Sequence, residues 1–218
     1  MSSTFHAHVI AAPGPVVYPL LAAGDGRIKV DFGKEGEADA VFDSTVSLVR
    51  RGLRIDRVLV KGLMQVFPSL GNKMVVWRKG SAADVLLRSY ITKAGKNIEI
   101  VYVDDQSEIM KLLKSNQVDS AVVSSAVGKG IPFEELLPEV PGSCGVHLNR
   151  NEEMILSAYM KGIEEFKRNP EEAANRVASK LPMKVDPSFI KGTMTNSILT
   201  VEKPKDFMAF KQLISSVI

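Results

Sequence analysis

GEADAVFDSTVSLVRRG, residues 36–52, decides how the rest of the chain is read. A turn-forming glycine and two acids precede a short apolar run, residues 38–42, which is too short for a helix and reads as a buried strand. Asp43 or Ser44 then supplies an N-cap, an apolar-periodic helix follows, and Gly52 lies just past its end. NQVDSAVVSSAVGKG, residues 116–130, writes the same phrase again, with Asn116 where Gly36 stood. Both residues tolerate the left-handed backbone of an element stop. A chain that twice writes stop, aspartate, buried strand and hydroxyl residues is building two related β/α units.

Outward from these anchors the same alternation continues. Residues 5–12 and 27–32 read as strands around a short helix that ends at Gly24, and 57–67 as a long strand interrupted near Gly62. Residues 73–80, 98–103 and 119–125 are further strands. Between them lie a helix capped by Ser81 and one opened by an Asp105–Glu108 pairing of capping-box form. This middle β-α-β-α-β block implies a parallel sheet with right-handed crossovers. Residues 132–143 are proline-rich and irregular, CGVHL returns as a strand, and everything from Asn151 reads as helix. The organisation expected is one lobe from 1–67 plus 148–218 and a second from 73–140. Turn-rich crossings at 68–72 (Pro68, Gly71, Asn72) and 141–147 (Pro141, Gly142) would join them.

Composition removes several classes of function. At 218 residues, 45% hydrophobic and 24% charged, the chain is an ordinary globular protein. A net charge of +3 with Lys and Arg scattered among acids gives no phosphate track, so no nucleic acid is expected. Cys144 is the single cysteine, which excludes an internal disulfide and a CxxC metal site. His6 and His8 share one face of a strand and could hold a metal or simply form that face. A Cys144–His147 nucleophilic pair has no recognisable elbow around it. No metal and no cofactor are expected. No secretion leader and no apolar stretch of membrane-spanning length is written, so the expected location is cytoplasmic and no membrane span is expected.

In an open α/β sheet, ligands bind beyond the carboxyl ends of strands, where helices begin. Four such turns can be read: Ala12-Pro13-Gly14-Pro15, Asp43-Ser44-Thr45, Lys79-Gly80-Ser81 and Ser124-Ser125. All are small, hydroxylic or glycine-bearing, as close backbone approach requires. Free N–H groups at helix starts suit an anionic or polar group. Each hydroxyl or acid there could equally be a plain helix cap. Tyr18 and Trp77 are aromatic candidates for a cleft wall, and Lys79 with Arg78 could supply countercharge. No Walker loop, GxGxxG, HExxH or GxSxG is present.

These features resemble the type 2 periplasmic-binding-protein fold, the two-lobed fold of ABC-transporter solute-binding proteins, in its nitrate/sulfonate/thiamine-precursor-like branch. Gly36-Glu37-Ala38-Asp39-Ala40 and Asn116-Gln117-Val118-Asp119-Ser120 match that family's Gly-x-x-Asp-Ala segment, one in each lobe, and NPEEAANRVASKL resembles its C-terminal region. The resemblance implies an α/β fold, each lobe a mainly parallel sheet flanked by helices, with a ligand cleft between. It implies a small polar or anionic organic ligand contacted by Pro13, Gly14, Tyr18, Asp43, Ser44, Thr45, Lys79, Gly80, Ser81, Ser124 and Ser125. A transporter partner is implied if the protein is exported; the sequence leaves the oligomeric state open. A distant likeness to futalosine-pathway enzymes of menaquinone synthesis implies an alternative, a cytosolic enzyme acting on a carboxylated aromatic or nucleoside-like metabolite. Asp43 would then be its acid or base.

Overall fold

The computed structural model describes residues 6–218. The chain opens with β1 (Ala7–Ala11), α1 (Tyr18–Ala23), β2 (Ile28–Phe32), β3 (Ala40–Ser44), α2 (Thr45–Arg50) and β4 (Arg57–Lys61). It continues through β5 (Met64–Phe67), β6 (Lys73–Trp77), α3 (Ala82–Ala94), β7 (Glu99–Val103), α4 (Gln106–Lys114), β8 (Ser120–Ser124), β9 (Ile131–Pro132) and α5 (Phe133–Leu136). Then come β10 (Cys144–Leu148), α6 (Glu152–Arg168), α7 (Pro170–Ala178), α8 (Pro187–Thr195), β11 (Ile198–Glu202) and α9 (Phe207–Ser215).

These strands form two sheets, ordered β11-β4-β10-β3-β1-β2 and β7-β6-β8-β5-β9. β1 is parallel to β2 and β3, and β6 is parallel to β7 and β8, as the β-α-β pattern requires. The sheets are mixed rather than mainly parallel, however, because β10 runs antiparallel to β3 and β4, β11 to β4, and β5 to β8 and β9: strands that arrive from the other lobe or from the tail are not joined by a β-α-β crossover. The residues between 57 and 67 are not one strand. Gly62, at φ +71°, turns the chain out of β4, and β5 pairs with β8 and β9 in the other sheet. The first crossing is therefore at Gly62–Leu63. Residues 68–72, read from sequence as that crossing, join β5 to β6 within the second sheet. The return likewise precedes 144–147, because those residues already pair with β3 and β4 as β10. The tail contributes a strand that periodicity did not show: β11 pairs with β4 at the sheet edge, and Ile198 points outward at 63% exposure. An edge strand with little burial carries little hydrophobic alternation.

One apolar core lies under the first sheet, where Val9, Ala11, Phe42 and Val146 pack on α1, α6 and α7. Helices α1 and α6 touch backbone to side: a Cβ on Gly162 would sit 1.7 Å from the Pro19 carbonyl oxygen, so only glycine fits there. A second core joins the lobes, with Val46 and Leu48 of α2, Leu86 and Leu87 of α3, Phe133 and Phe210 in one cluster. A third lies under α4.

The repeated aspartate has one structural task in both sheets. Asp39 N–H donates to the His8 carbonyl while its carboxylate accepts the His8 N–H at 2.8 Å. Asp119 N–H donates to the Lys73 carbonyl while its carboxylate accepts the Lys73 and Asn72 N–H groups at 2.9 and 3.0 Å. Each aspartate thus fastens the start of its strand to the start of the neighbouring parallel strand and fixes register there. The preceding residues differ more than the sequence suggests. Asn116 (φ +54°) follows α4, whereas Gly36 (φ +124°) stops no helix and sits in a loop returning from β2. That loop runs so close to β1 that a Cβ on Gly36 would lie 2.9 Å from Ile10 Cδ1.

Candidate functional site

A cavity of about 460 Å³ opens where the ends of β6, β7 and β8 face the first lobe. That volume falls in the usual range for small-molecule sites, roughly 300–1,000 Å³. The second lobe supplies most of its wall: Trp77 at the end of β6, Ser81 and Ala82 at the start of α3, Ser107 in the first turn of α4, Val122 and Ser124 of β8. Pro15, in the turn after β1, and Phe189 of α8 close it from the first lobe, and Leu63 and Met64 form its floor at the crossing. Among the described residues no Asp, Glu, Lys, Arg or His side chain lines it.

The helix starts around the cavity are already neutralised by the chain. At α3, Ser81 Oγ donates to the Trp77 carbonyl at 2.6 Å and accepts the Asp84 N–H at 3.2 Å. Asp84 is fully buried; it accepts the Gly80 N–H at 2.7 Å, the Tyr102 hydroxyl at 2.8 Å and the Arg88 guanidinium. Burial, and then that hydrogen bond to Asp84, pushes the Tyr102 phenol up to about 12. At α4, Asp105 is the N-cap and accepts the Ser107 N–H at 2.8 Å, which holds its carboxyl below the ordinary range. Trp77 Nε1 donates to the Asp104 carbonyl at 3.1 Å, and the Arg78 guanidinium lies 5.0 Å from the indole centre. Arg78 is itself balanced by Asp104 at 3.6 Å.

Of the residues expected from sequence, the cavity brings together Ser81 and Ser124. Pro13 and Gly14 stay half-buried beside it; their neighbour Pro15 reaches it. Lys79 is exposed, and Gly80 is spent on Asp84 and on Arg50, whose guanidinium donates to the Gly80 carbonyl at 2.5 Å. Tyr18 is the first residue of α1 and sits in the first core at 3% exposure, its phenol pushed up to about 12 by burial next to Cys144. Asp43, Ser44 and Thr45 are all structural. Ser44 caps α2 through the Ser47 N–H, and Asp43 accepts the Ser44 N–H at 2.7 Å, the Ser47 hydroxyl at 2.6 Å and Arg51 at 3.4 Å. Thr45 is fully buried and donates to the Gly142 carbonyl at 2.7 Å, tying the return crossing to α2. Ser125 faces a separate cavity of about 390 Å³, where its hydroxyl meets Ser197 Oγ at 2.8 Å. No helix follows β8; a turn leads to β9 instead.

Trp77, an aromatic candidate for the cleft wall from sequence, lines the cavity at the end of β6. The wall also holds residues that the sequence reading passed over. The turn between β7 and α4, recognised only as a cap, brings Gln106 and Ser107 to it. Phe189 comes from a tail helix more than sixty positions from β8 in sequence, and its 39% exposure is the only structural mark it carries. The histidine and cysteine constellations dissolve. His8 Nε2 bonds Asp31 at 2.8 Å, and among the described residues no group of acidic, His or Cys side chains is arranged to hold a metal. Burial pushes the Cys144 thiol well up, and Cys144 and His147, three apart on β10, point to opposite faces.

The chain belongs to the family described as "Protein of unknown function (DUF3834)", whose model matches residues 5–200. No curated protein matches it in sequence. Among solved structures it is similar to a "Putative nitrate transport protein" of Thermoplasma volcanium, with 23% identity and a TM-score of 0.77 over 97% of this chain and 92% of that one. It is similar to an ABC transporter protein of Parabacteroides distasonis, with 14% identity and a TM-score of 0.66 over 99% and 93%. A protein of Archaeoglobus fulgidus gives 13% identity and a TM-score of 0.60 over 97% and 96%. The fold is the two-lobed, periplasmic-binding-protein-like α/β fold, two sheets flanked by helices.

Proposed function

We propose that the protein binds a small organic molecule in the cavity between its lobes, in the manner of a solute-binding protein. The observation that carries this is the position of the cavity. It lies at the carboxyl ends of the parallel strands of the second sheet, with Pro15 and Phe189 of the first lobe facing them. The fold neighbours from Thermoplasma volcanium and Parabacteroides distasonis, described in transport terms, support the same role. Lobe closure about Gly62–Leu63 and the return at 137–143 would bring Phe189 toward β8 and remove the ligand from water. The enzyme reading loses its support, because Asp43 is buried in a helix cap and does not line the cavity.

A thermal-shift screen of small metabolites, with mass spectrometry of whatever co-purifies, tests the proposal. A ligand at a hundred times its Kd adds about 2.7 kcal/mol, which for a chain of this size moves Tm by roughly 5–10 °C. Val127 lines the cavity at 37% exposure, so Val127→Trp fills it without disturbing the core. The stabilisation should vanish in that variant. A compound that stabilises wild type and Val127→Trp equally would move the site elsewhere.

A further inference from the structure

We infer that the ligand of this cavity is electrically neutral: a compact aromatic body carrying one hydrogen-bonding end. The inference rests on the cavity being the binding site and adds the class of molecule it takes. Three observations converge. The wall is apolar over most of its extent, with Trp77 and Phe189 available to pack against a flat ligand and Met64, Met110, Ile109 and Val122 beneath. Among the described residues it contains no ionisable side chain, so a charged ligand would lose its hydration without gaining a charged partner. Each helix start at the cavity already carries a carboxylate of the chain, Asp84 in the first turn of α3, bonded to the Gly80 N–H, and Asp105 capping α4 on the Ser107 N–H, so neither end has the excess positive character of an open anion site.

What remains at the cavity is suited to one neutral polar group. Ser124 Oγ accepts the Ala126 N–H at 3.3 Å, which leaves its own proton free to donate. The N–H groups of Ala82 and Ala83 lie in the first turn of α3, where no intrahelical carbonyl can reach them. A ligand carbonyl, amide, ether or ring nitrogen fits such donors. The Asp105 carboxylate at the start of α4 offsets that helix end's attraction for a carboxylate, and a cation would find no carboxylate lining the cavity.

An isosteric series separates the class from the site. Binding of 1-naphthamide, 1-naphthoate and 1-naphthylmethylammonium to the full chain is measured by isothermal titration, in wild type and in Val127→Trp. The expected result is that naphthamide binds at least tenfold more tightly than either ion, and that this binding is lost in Val127→Trp. Naphthoate or the ammonium binding as tightly as the amide, and being lost in Val127→Trp, overturns the neutral class while leaving the cavity as the site. Binding of the amide that Val127→Trp does not weaken overturns the cavity reading itself. No binding of any of the three at millimolar concentration overturns the neutral aromatic class. Asp105→Asn keeps the cap oxygen and removes its charge. It should tighten naphthoate about threefold and leave naphthamide unchanged; an unchanged naphthoate overturns the role given to the capping carboxylate.

Discussion

The ends of β3 and β8 are written almost alike, FDSTV and VSSAV, yet they do opposite work. At the end of β3 every polar side chain is used internally: Asp43 on Ser47 and Arg51, Ser44 as the cap of α2, Thr45 on Gly142. At the end of β8, Ser124 faces the cavity and holds one long bond to Ala126. The difference follows from what comes next in the chain. A helix begins at Thr45, and its unpaired N–H groups draw in the nearby hydroxyl and carboxylate oxygens as caps. After Ser124 only a turn follows, so no row of N–H groups competes for its hydroxyl. A hydroxyl at a strand end is open to a ligand when the following element does not need it.

The strongest way to break this comparison is to remove Asp43. Its carboxylate is buried at 5% exposure, and Asp43→Ala leaves the Ser47 hydroxyl and Arg51 without their partner. We expect a loss of about 3 kcal/mol in unfolding free energy, read by urea denaturation. A loss under about 1 kcal/mol would mean that the acid is not structural and would return it to candidacy as a functional group.

The paired aspartates sharpen the comparison one step further down. Asp39→Ala strands the His8 N–H in a buried setting and should cost about 2 kcal/mol. Asp119 makes the equivalent bonds at the surface, where water can replace it, so Asp119→Ala should cost about 1 kcal/mol. The His8 N–H, with Asn151 and Arg150 adding to it, holds the Asp39 carboxyl below the ordinary aspartate range against the opposing effect of burial. A depressed folded-state value means the stabilisation is complete above the ordinary value of about 3.9 and is lost as pH falls through the depressed one. The gap between wild type and Asp39→Ala, followed by denaturant titration from neutral to acid pH, should therefore narrow at the acid end. A gap that stays constant would assign the effect to packing alone.

The smallest effect on stability belongs to Ser124. Ser124→Ala should change unfolding free energy by less than about 0.5 kcal/mol, while weakening a bound neutral ligand about 3- to 10-fold, the worth of one neutral hydrogen bond. A large stability loss would place Ser124 with Ser44 and Thr45, and the contrast between the two strand ends would disappear.

The local grammar of the chain was legible because it depends on neighbours in sequence. Alternating strands and helices, the caps at Ser81 and Asp105, the left-handed stop at Asn116 and the recurring aspartate all follow from period, propensity and short-range hydrogen bonding. That was enough for two parallel β/α units and the fold. What the sequence could not carry was decided by partners far along the chain. The crossing fell at Gly62 because β5 found β8 rather than extending β4, and β11 became a strand only because β4 offered an edge. Phe189 came to line the same cavity as Trp77 through the packing of a tail helix, a relation with no local signature. The repeated phrase at 36–52 and 116–130 specified the same strand and the same aspartate lock twice; only the assembled fold determined that one copy's hydroxyls hold a helix while Ser124 of the other lines the cavity.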